Sequence, residues 1–378
     1  MSRTRFLVIG AGVAGASAGA MLAELGSTRV VEREEFPGYH TTGRSAAVYS
    51  EAYGNATIRA LTIASRPWFD QPPAGAAETP LLADRQTVTV ARADQMERLA
   101  AEFAAARKLV GNLVWLDRAA ALARLPMMRP DYLAGAFVEP DAMDMDVNAI
   151  HQGWLRLLRQ RGGSVVTNAG VSALARKGGV WHAATAAGAF EAEVVVNAAG
   201  AWADQIAVLA GGQPVGLVPK RRSVLTFDPP AGFDIARWPH VIDIDEQYYF
   251  KPESGRILLT PADETPQDPA DAQPEELDLA LAIDRFEQAT TLRVQRIVRR
   301  WAGLRTFAPD RTPVVGFDPD LEGFFWLAGQ GGYGIMTSPA LSRVTAALAS
   351  GADMPADLAQ KGVTADILSP RRFRDTAR

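Results

Sequence analysis

The chain has 378 residues, more than one compact core normally holds, so two domains or one bilobed unit are expected. A net charge of −4 with 22% charged residues carries no basic footprint, which argues against nucleic acid as a partner. There is no cysteine, so disulfides, thiolate catalysis, iron–sulfur clusters, Cys-type zinc sites and cysteinyl cofactor attachment are excluded, and the four histidines (His40, His151, His182, His240) are too scattered to suggest a metal site.

Residues 6–9 read as a short buried strand, 14–25 as an Ala-rich helix and 29–32 as the next strand, together a βαβ unit of about 30 residues. Arg3 and Arg5 before an apolar run superficially resemble a secretory signal. Cleavage near Ala18, however, would destroy the strand–turn–helix pattern, and no stretch reaches the ~18 apolar residues of a membrane span, so a cytoplasmic protein is expected. Residues 34–53, rich in Gly, Pro, Ser and Thr, read mostly as loop, and 56–69 as a helix stopping before Pro72. A strand at 86–90, helices at 93–106 and 118–124, and an Asp-led amphipathic helix at 141–161 follow. Strands are expected at 164–168, 179–184 and 190–196, the last running through Asn197 to Gly200 into a helix at 201–209. Further strands fall at 223–227, 248–251 and 256–259; residues 261–276 read as an exposed polar excursion and 277–286 as a helix. A strand at 324–327 leads through a glycine loop at 329–334 to a helix ending near Leu348. Helix–strand alternation at both ends and around 145–210, with antiparallel-looking pieces between, predicts an α/β nucleotide domain interrupted by a mixed α+β domain.

Gly10-Ala11-Gly12-Val13-Ala14-Gly15 is a G-x-G-x-x-G run that follows a strand and opens a helix, and Glu32 ends the next strand 17 positions after Gly15. Gly10 permits the tight turn, Gly12 lets a pyrophosphate approach the backbone, and Gly15 lets helix and strand pack closely. The helix N-terminus offers free N–H groups to phosphate, and the Glu32 carboxylate is placed to accept ribose hydroxyls. The fingerprint alone does not separate NAD from FAD. Three later elements do: the hydroxyl-rich loop 37–45, the strand-then-glycine segment 194–200, and Gly329-Gln330-Gly331-Gly332-Tyr333-Gly334. One NAD domain does not need them, whereas an extended FAD requires several such contacts.

Together these pieces resemble the D-amino acid oxidase superfamily of flavoproteins, and within it the bacterial FAD-dependent D-arginine dehydrogenases. The resemblance runs over essentially the whole length, and its most specific runs are residues 38–47, 219–223, 301–305, 330–335 and 368–372. It implies an α/β Rossmann-like FAD-binding domain (1–44, 148–215 and 310–378) and a discontinuous α+β substrate domain with a mixed, largely antiparallel sheet (45–147 and 216–309). It further implies non-covalent FAD and oxidation of an α-amino acid to an imino acid, which water turns into keto acid and ammonia. By position, the cofactor would meet Gly10, Gly12, Ala14, Gly15, Glu32, Arg33, Thr41, Thr42, Gly43, Arg44, Ser45, Ala46, Val171, Ala199, Gly200, Trp202, Arg305, Gly331, Gly332, Tyr333, Gly334 and Ile335. Arg222, Arg305 and Tyr249 would hold the substrate carboxylate, the Gly332 carbonyl its amine, and Tyr53 would sit on the loop that closes over it. This chain departs from the arginine enzymes where Val48 replaces a histidine, Thr87 a glutamate that pairs with the guanidinium, and Met336 a glutamine beside the flavin. Those changes remove charge and polarity from the expected side-chain pocket, so a D-amino acid with an apolar or uncharged side chain is expected in place of arginine.

The residues themselves support part of this. A carboxylate wants a planar, always-charged partner, which arginine supplies. Oxidation of a C–H beside nitrogen is hydride transfer from Cα to flavin N5, leaving the protein to orient and to handle a proton. Tyr249, Tyr53 or a water are the candidate proton acceptors; Tyr248 and Tyr249 alternate faces in a strand, so only one faces the site. His40 is expected to hydrogen-bond within its loop. The electron acceptor, oxygen or a quinone, is open. So are oxidation of a secondary amine or a 2-hydroxy acid, a flavin-binding protein without turnover, and an NAD dehydrogenase.

Overall fold

The computed structural model describes residues 3–230 and 232–374, and among these the strands form three sheets. The first has eight strands around a parallel core. Arg3–Ile9 lies between Thr28–Val31 and Gly188–Asn197, with Ser164–Val166 and Phe324–Ala328 extending the parallel set on either side. Val171–Lys177, Val180–Thr185 and Val314–Phe317 add antiparallel strands. Phe6, Leu7, Val8 and Ile9 are all buried, the pattern of a strand covered on both faces. Helix Val13–Leu22 is nearly buried all round, which is why its sequence is Ala-rich and not amphipathic. It packs against Val147–Gln160 and Gly334–Ser350.

The second sheet has ten strands and is largely antiparallel. Its order is Gln330–Gly331, Ile297–Phe307, Val218–Phe227, Arg256–Thr260, Tyr249–Glu253, His240–Asp243, Thr87–Ala91, Gly135–Glu139 and Val114–Leu116, with Thr265–Pro266 beside the Val218–Phe227 strand. The two-residue alternation of strands divides its faces. Val88, Leu225, Val241, Tyr248, Phe250 and Leu259 form a core with Leu279 and Phe286 of helix Glu276–Ala289. Thr87, Thr89, His240, Ile242 and Tyr249 point the other way, onto a cavity. Tyr249 therefore faces the site and Tyr248 the core, as alternation requires. The third sheet is small: Val48–Tyr49, Met143–Met145 and Leu82–Asp84.

Several expectations change. The helix expected over 141–161 starts only at Val147, because Met143–Met145 is drawn into the small sheet and Asp146 caps the helix, its carboxylate accepting from Ala149 N at 2.8 Å. Ile297–Phe307, His240–Asp243 and Val171–Lys177 are strands that local pattern did not mark. The polar stretch 261–276 is not a free excursion. Thr265–Pro266 pairs with the Val218–Phe227 strand, and half-buried Asp263 accepts from Ser223 N at 2.7 Å. No helix among the described residues is long and apolar enough to cross a membrane.

Candidate active site

Two cavities meet between the large sheets. The first, about 530 Å³, is walled by Gly10, Gly12, Ala14, Glu32, Arg33, Thr41, Thr42, Arg44, Val171, Ala199, Gly200 and Trp202 at one end, and by Gly331, Gly334, Ile335 and Arg222 at the other. Gly10 has φ +101°, and a Cβ there would stand 2.5 Å from the Ala198 carbonyl oxygen. Glu32 braces this turn, accepting from Ala11 N at 2.7 Å and Glu34 N at 3.0 Å. Thr42 Oγ1 accepts from Val13 N at 3.0 Å, tying the 37–45 loop to the helix start. His151 Nε2 donates to the Ala11 carbonyl at 2.9 Å; burial pushes its pKa down, which keeps the imidazole neutral. Arg33 lies over the Trp202 ring at 4.7 Å. Thr41 donates to the Leu304 carbonyl at 2.7 Å, and Arg44 to the carbonyls of Ala272 (3.0 Å) and Ala302 (3.1 Å), so this loop is bolted to the second sheet. His40 meets Glu34 at 2.9 Å, a hydrogen bond within its own loop.

Three expected cofactor contacts are not on this wall. Gly15 is behind it, where a Cβ would stand 1.8 Å from the Gly10 carbonyl oxygen, so its role is packing. Gly43 closes the loop, donating to the Gly38 carbonyl at 2.7 Å. Tyr333 faces the second cavity.

The second cavity, about 650 Å³, meets the first at Ser45, Ala46, Tyr249, Arg305 and Gly332. Arg305 donates through Nη2 to the Tyr249 hydroxyl at 3.3 Å. Arg222, 4% exposed, donates through Nε to the Asp263 carbonyl at 2.9 Å, approaches Glu264 at 3.5 Å, and sits 5.9 Å from the Tyr249 ring centre. Nη1 of each arginine is buried with no protein partner. A buried donor left unpaired is costly, so two of them beside one tyrosine mark a place where an acceptor is to be supplied. Burial opposes the Arg305 charge, but Tyr249, Tyr53 and Glu246 outweigh it and raise its pKa above the ordinary value.

Tyr53 lines the second cavity with its ring 5.0 Å from that of Tyr333. Burial pushes its phenol above the ordinary range, so Tyr53 is held as the neutral phenol. Val48 and Thr87 are on the same wall. Met336 is not: it is buried in the apolar core with Ile335 and Tyr333, so it shapes the pocket only from behind. The side chain that does accompany Thr87 is His240, whose Nδ1 is 3.3 Å from Thr87 Oγ1 and whose ring meets Tyr249 edge-on at 5.2 Å. Burial, with Lys251 adding, holds the His240 pKa down to about 3. Glu264 is a further residue of the site that sequence reasoning misses. Burial disfavours its charge, but Arg311 and Lys220 outweigh that and hold it down to about 2, while it faces Arg222. No local signal marks either residue. Among the described residues no three His, Asp or Glu side chains are grouped to hold a metal ion.

The sequence profile described as DAO, FAD dependent oxidoreductase, matches residues 5–348. The chain belongs to this family. An oxidoreductase of Bacillus subtilis, YurR, described as uncharacterized, is 25% identical over 375 residues, covering 93% of this chain and 96% of that one. Glycine oxidase of Pseudomonas aeruginosa is 28% identical over 178 residues, 44% of each chain. Among solved structures, glycine oxidase from Geobacillus kaustophilus superposes with a TM-score of 0.82 at 21% identity, covering 96% of this chain and 98% of that one. L-proline dehydrogenase from P. horikoshii gives 0.83 at 19% identity and 99% of each. At such identities the structural likeness establishes the fold alone.

The first cavity fits the FAD of this family. The Gly10 turn leaves no room for a side chain, Gly12 opens its backbone to the cavity, and the helix behind it has no acidic residue in its first turn to repel phosphate. The cavity then runs on to Gly331, Gly332 and Arg305, an extent suited to an extended dinucleotide.

Proposed function

We propose that this chain oxidises a free α-amino acid, of D configuration and with an uncharged side chain, at the junction of the two cavities. The observation that carries the reading is the pair of buried, unpartnered Nη1 groups of Arg222 and Arg305, whose guanidiniums both stand near Tyr249. A carboxylate supplies the acceptors these donors lack, and a planar guanidinium can bind it at two points. With the carboxylate there, the amine falls toward the Gly332 carbonyl, and Tyr53 donates from the far side. Bound FAD supplies the two-electron acceptor for the hydride that leaves Cα; the imino acid so formed takes up water and yields keto acid and ammonia. The chain's own task is to hold the substrate, exclude water and let the ammonium shed a proton.

The uncharged side chain is supported by Val48, by Thr87 in place of a carboxylate, and by the neutral imidazole of His240 beside the cation of Lys251. Val48, Thr87 and His240 themselves offer a cationic side chain no counter-charge, and Glu139, in register with Thr87, has both carboxyl oxygens engaged by residues 50–52; Asp245 and Glu246 also line this cavity. The D configuration rests on the likeness of residues 38–47, 219–223 and 330–335 to the D-arginine dehydrogenases. Non-covalent attachment of FAD fits the absence of cysteine and the engagement of His40 with Glu34. Oxygen and a quinone are both open as acceptor. A secondary amine is the second reading, favoured by the 650 Å³ cavity and by structural neighbours titled L-proline dehydrogenase and iminodiacetate oxidase. Anaerobic mixing with primary and N-substituted amino acids, while following the flavin band, separates the two.

A further inference from the structure

Glu139 ends the Gly135–Glu139 strand, is 2% exposed, and stands on the wall of the second cavity. Both of its oxygens are used by one short segment far away in sequence. Oε2 accepts from Ser50 Oγ at 2.5 Å; Oε1 accepts from Glu51 N at 2.5 Å and Ala52 N at 3.1 Å. Residues 50–55 belong to no helix or strand, so their own backbone does not fix them. Tyr53 follows directly. Across the sheet Glu139 is in register with Thr87, which bonds His240. No cation among the described residues pairs with the Glu139 carboxyl, and burial pushes its pKa up to about 7. A carboxyl kept buried without a counter-ion, with both oxygens spent on one loop, is a costly arrangement with a local purpose.

We propose that Glu139 is a positioning residue that latches the 50–52 segment to the sheet and so sets Tyr53 over the substrate. Its place in catalysis rests on reading the second cavity as the amino-acid site; the latch itself does not. Removing the Glu139 side chain frees two backbone N–H groups and a hydroxyl at once, and Tyr53 loses its fixed start point. In Glu139→Gln the side-chain amide would still offer one acceptor oxygen to the backbone N–H groups and its NH₂ to Ser50, so this variant should largely restore the latch.

The test uses the FAD-loaded enzyme. In Glu139→Ala, hydrogen exchange of the amides of residues 51–53 should quicken about tenfold or more, and in Glu139→Gln return to within about threefold of the parent. Unchanged exchange in Glu139→Ala would overturn the latch. If that variant does not fold, Ser50→Ala removes one of the three bonds, and exchange there should rise about threefold; no change overturns the proposal equally. With an amino acid that reduces the parent flavin, Glu139→Ala should raise KM about tenfold with kcat nearly kept, and adding Tyr53→Ala should raise it no further. A KM equal to the parent's, or full additivity with Tyr53→Ala, refutes the positioning role. If no amino acid reduces the flavin, the substrate reading fails by itself and exchange still decides the latch.

Discussion

The Tyr249 hydroxyl accepts from Arg305 Nη2 at 3.3 Å, and both residues line the place where the two cavities join, with Arg305 Nη1 buried and unpartnered. The tyrosine comes from strand Tyr249–Glu253 and the arginine from strand Ile297–Phe307, with two other strands between them in the sheet. The Tyr249–Arg305 pair thus depends on the register of the sheet, not on a loop, which favours a well-fixed geometry.

Replacing Arg305 or Arg222 by lysine keeps the charge and loses the planar fork. A charge-assisted bond of about 1.5–3 kcal/mol should be lost, so kcat/KM per bound flavin falls about 10- to 100-fold. Anaerobic flavin-reduction rates against substrate concentration check this. Tyr249→Phe should act in the same direction and less strongly, since both guanidiniums remain.

The glycines of the first turn should separate by role. Gly10→Ala puts a Cβ 2.5 Å from the Ala198 oxygen at φ +101°, and Gly15→Ala one 1.8 Å from the Gly10 oxygen, so both should unfold or destabilise the domain. Gly12→Ala meets only Thr42 Oγ1 at 3.2 Å. It should fold and lose FAD, seen as a drop in the flavin-to-protein absorbance ratio with the far-ultraviolet spectrum kept.

Two buried groups give stability opposite slopes with pH. His240 is held at about 3, below its ordinary 6.5, so the stability of its neutral form is present above pH 6.5 and is lost as pH falls toward 3. Glu139 is raised to about 7 from 4.5, so its contribution is present below pH 4.5 and is lost as pH rises through 7. Melting temperatures of His240→Asn should fall less than the parent's on acidification, and those of Glu139→Gln less than the parent's between pH 4.5 and 7. Curves parallel to the parent's would mean these groups do not titrate as placed.

Thr87→Glu would put a carboxylate on the wall beside His240. The ratio of kcat/KM for arginine over an uncharged amino acid should rise about tenfold or more, in line with one charge-assisted pair. A steady-state comparison of the two substrates measures it.

The cofactor end was legible in the sequence because it is local. Strand, glycine turn, helix and Glu32 all fall within residues 6–32, and the later glycine segments carry their own signature. The proposed substrate end is legible only through resemblance. Arg222 and Arg305 lie on adjacent strands 83 positions apart, and the Arg299-Arg300 pair near the start of strand Ile297–Phe307 hides its alternation. His240, Glu139 and Glu264 were not readable at all. Their positions follow from pairing Thr87 with both His240 and Glu139, and from folding the 261–276 stretch back over Arg222. Met336 shows the converse: position in the motif placed it at the substrate, and helix geometry turned it into the core.

The central claim is that an α-amino acid carboxylate fills the Arg222–Arg305 gap beside FAD. Anaerobic mixing of the FAD-loaded protein with a panel of D- and L-amino acids, N-substituted amino acids and 2-hydroxy acids tests it most directly. Loss of the oxidised flavin band with at least one uncharged D-amino acid, and little or none with D-arginine, is the predicted result. A band that persists with every amino acid, or that bleaches only with hydroxy acids, would contradict it.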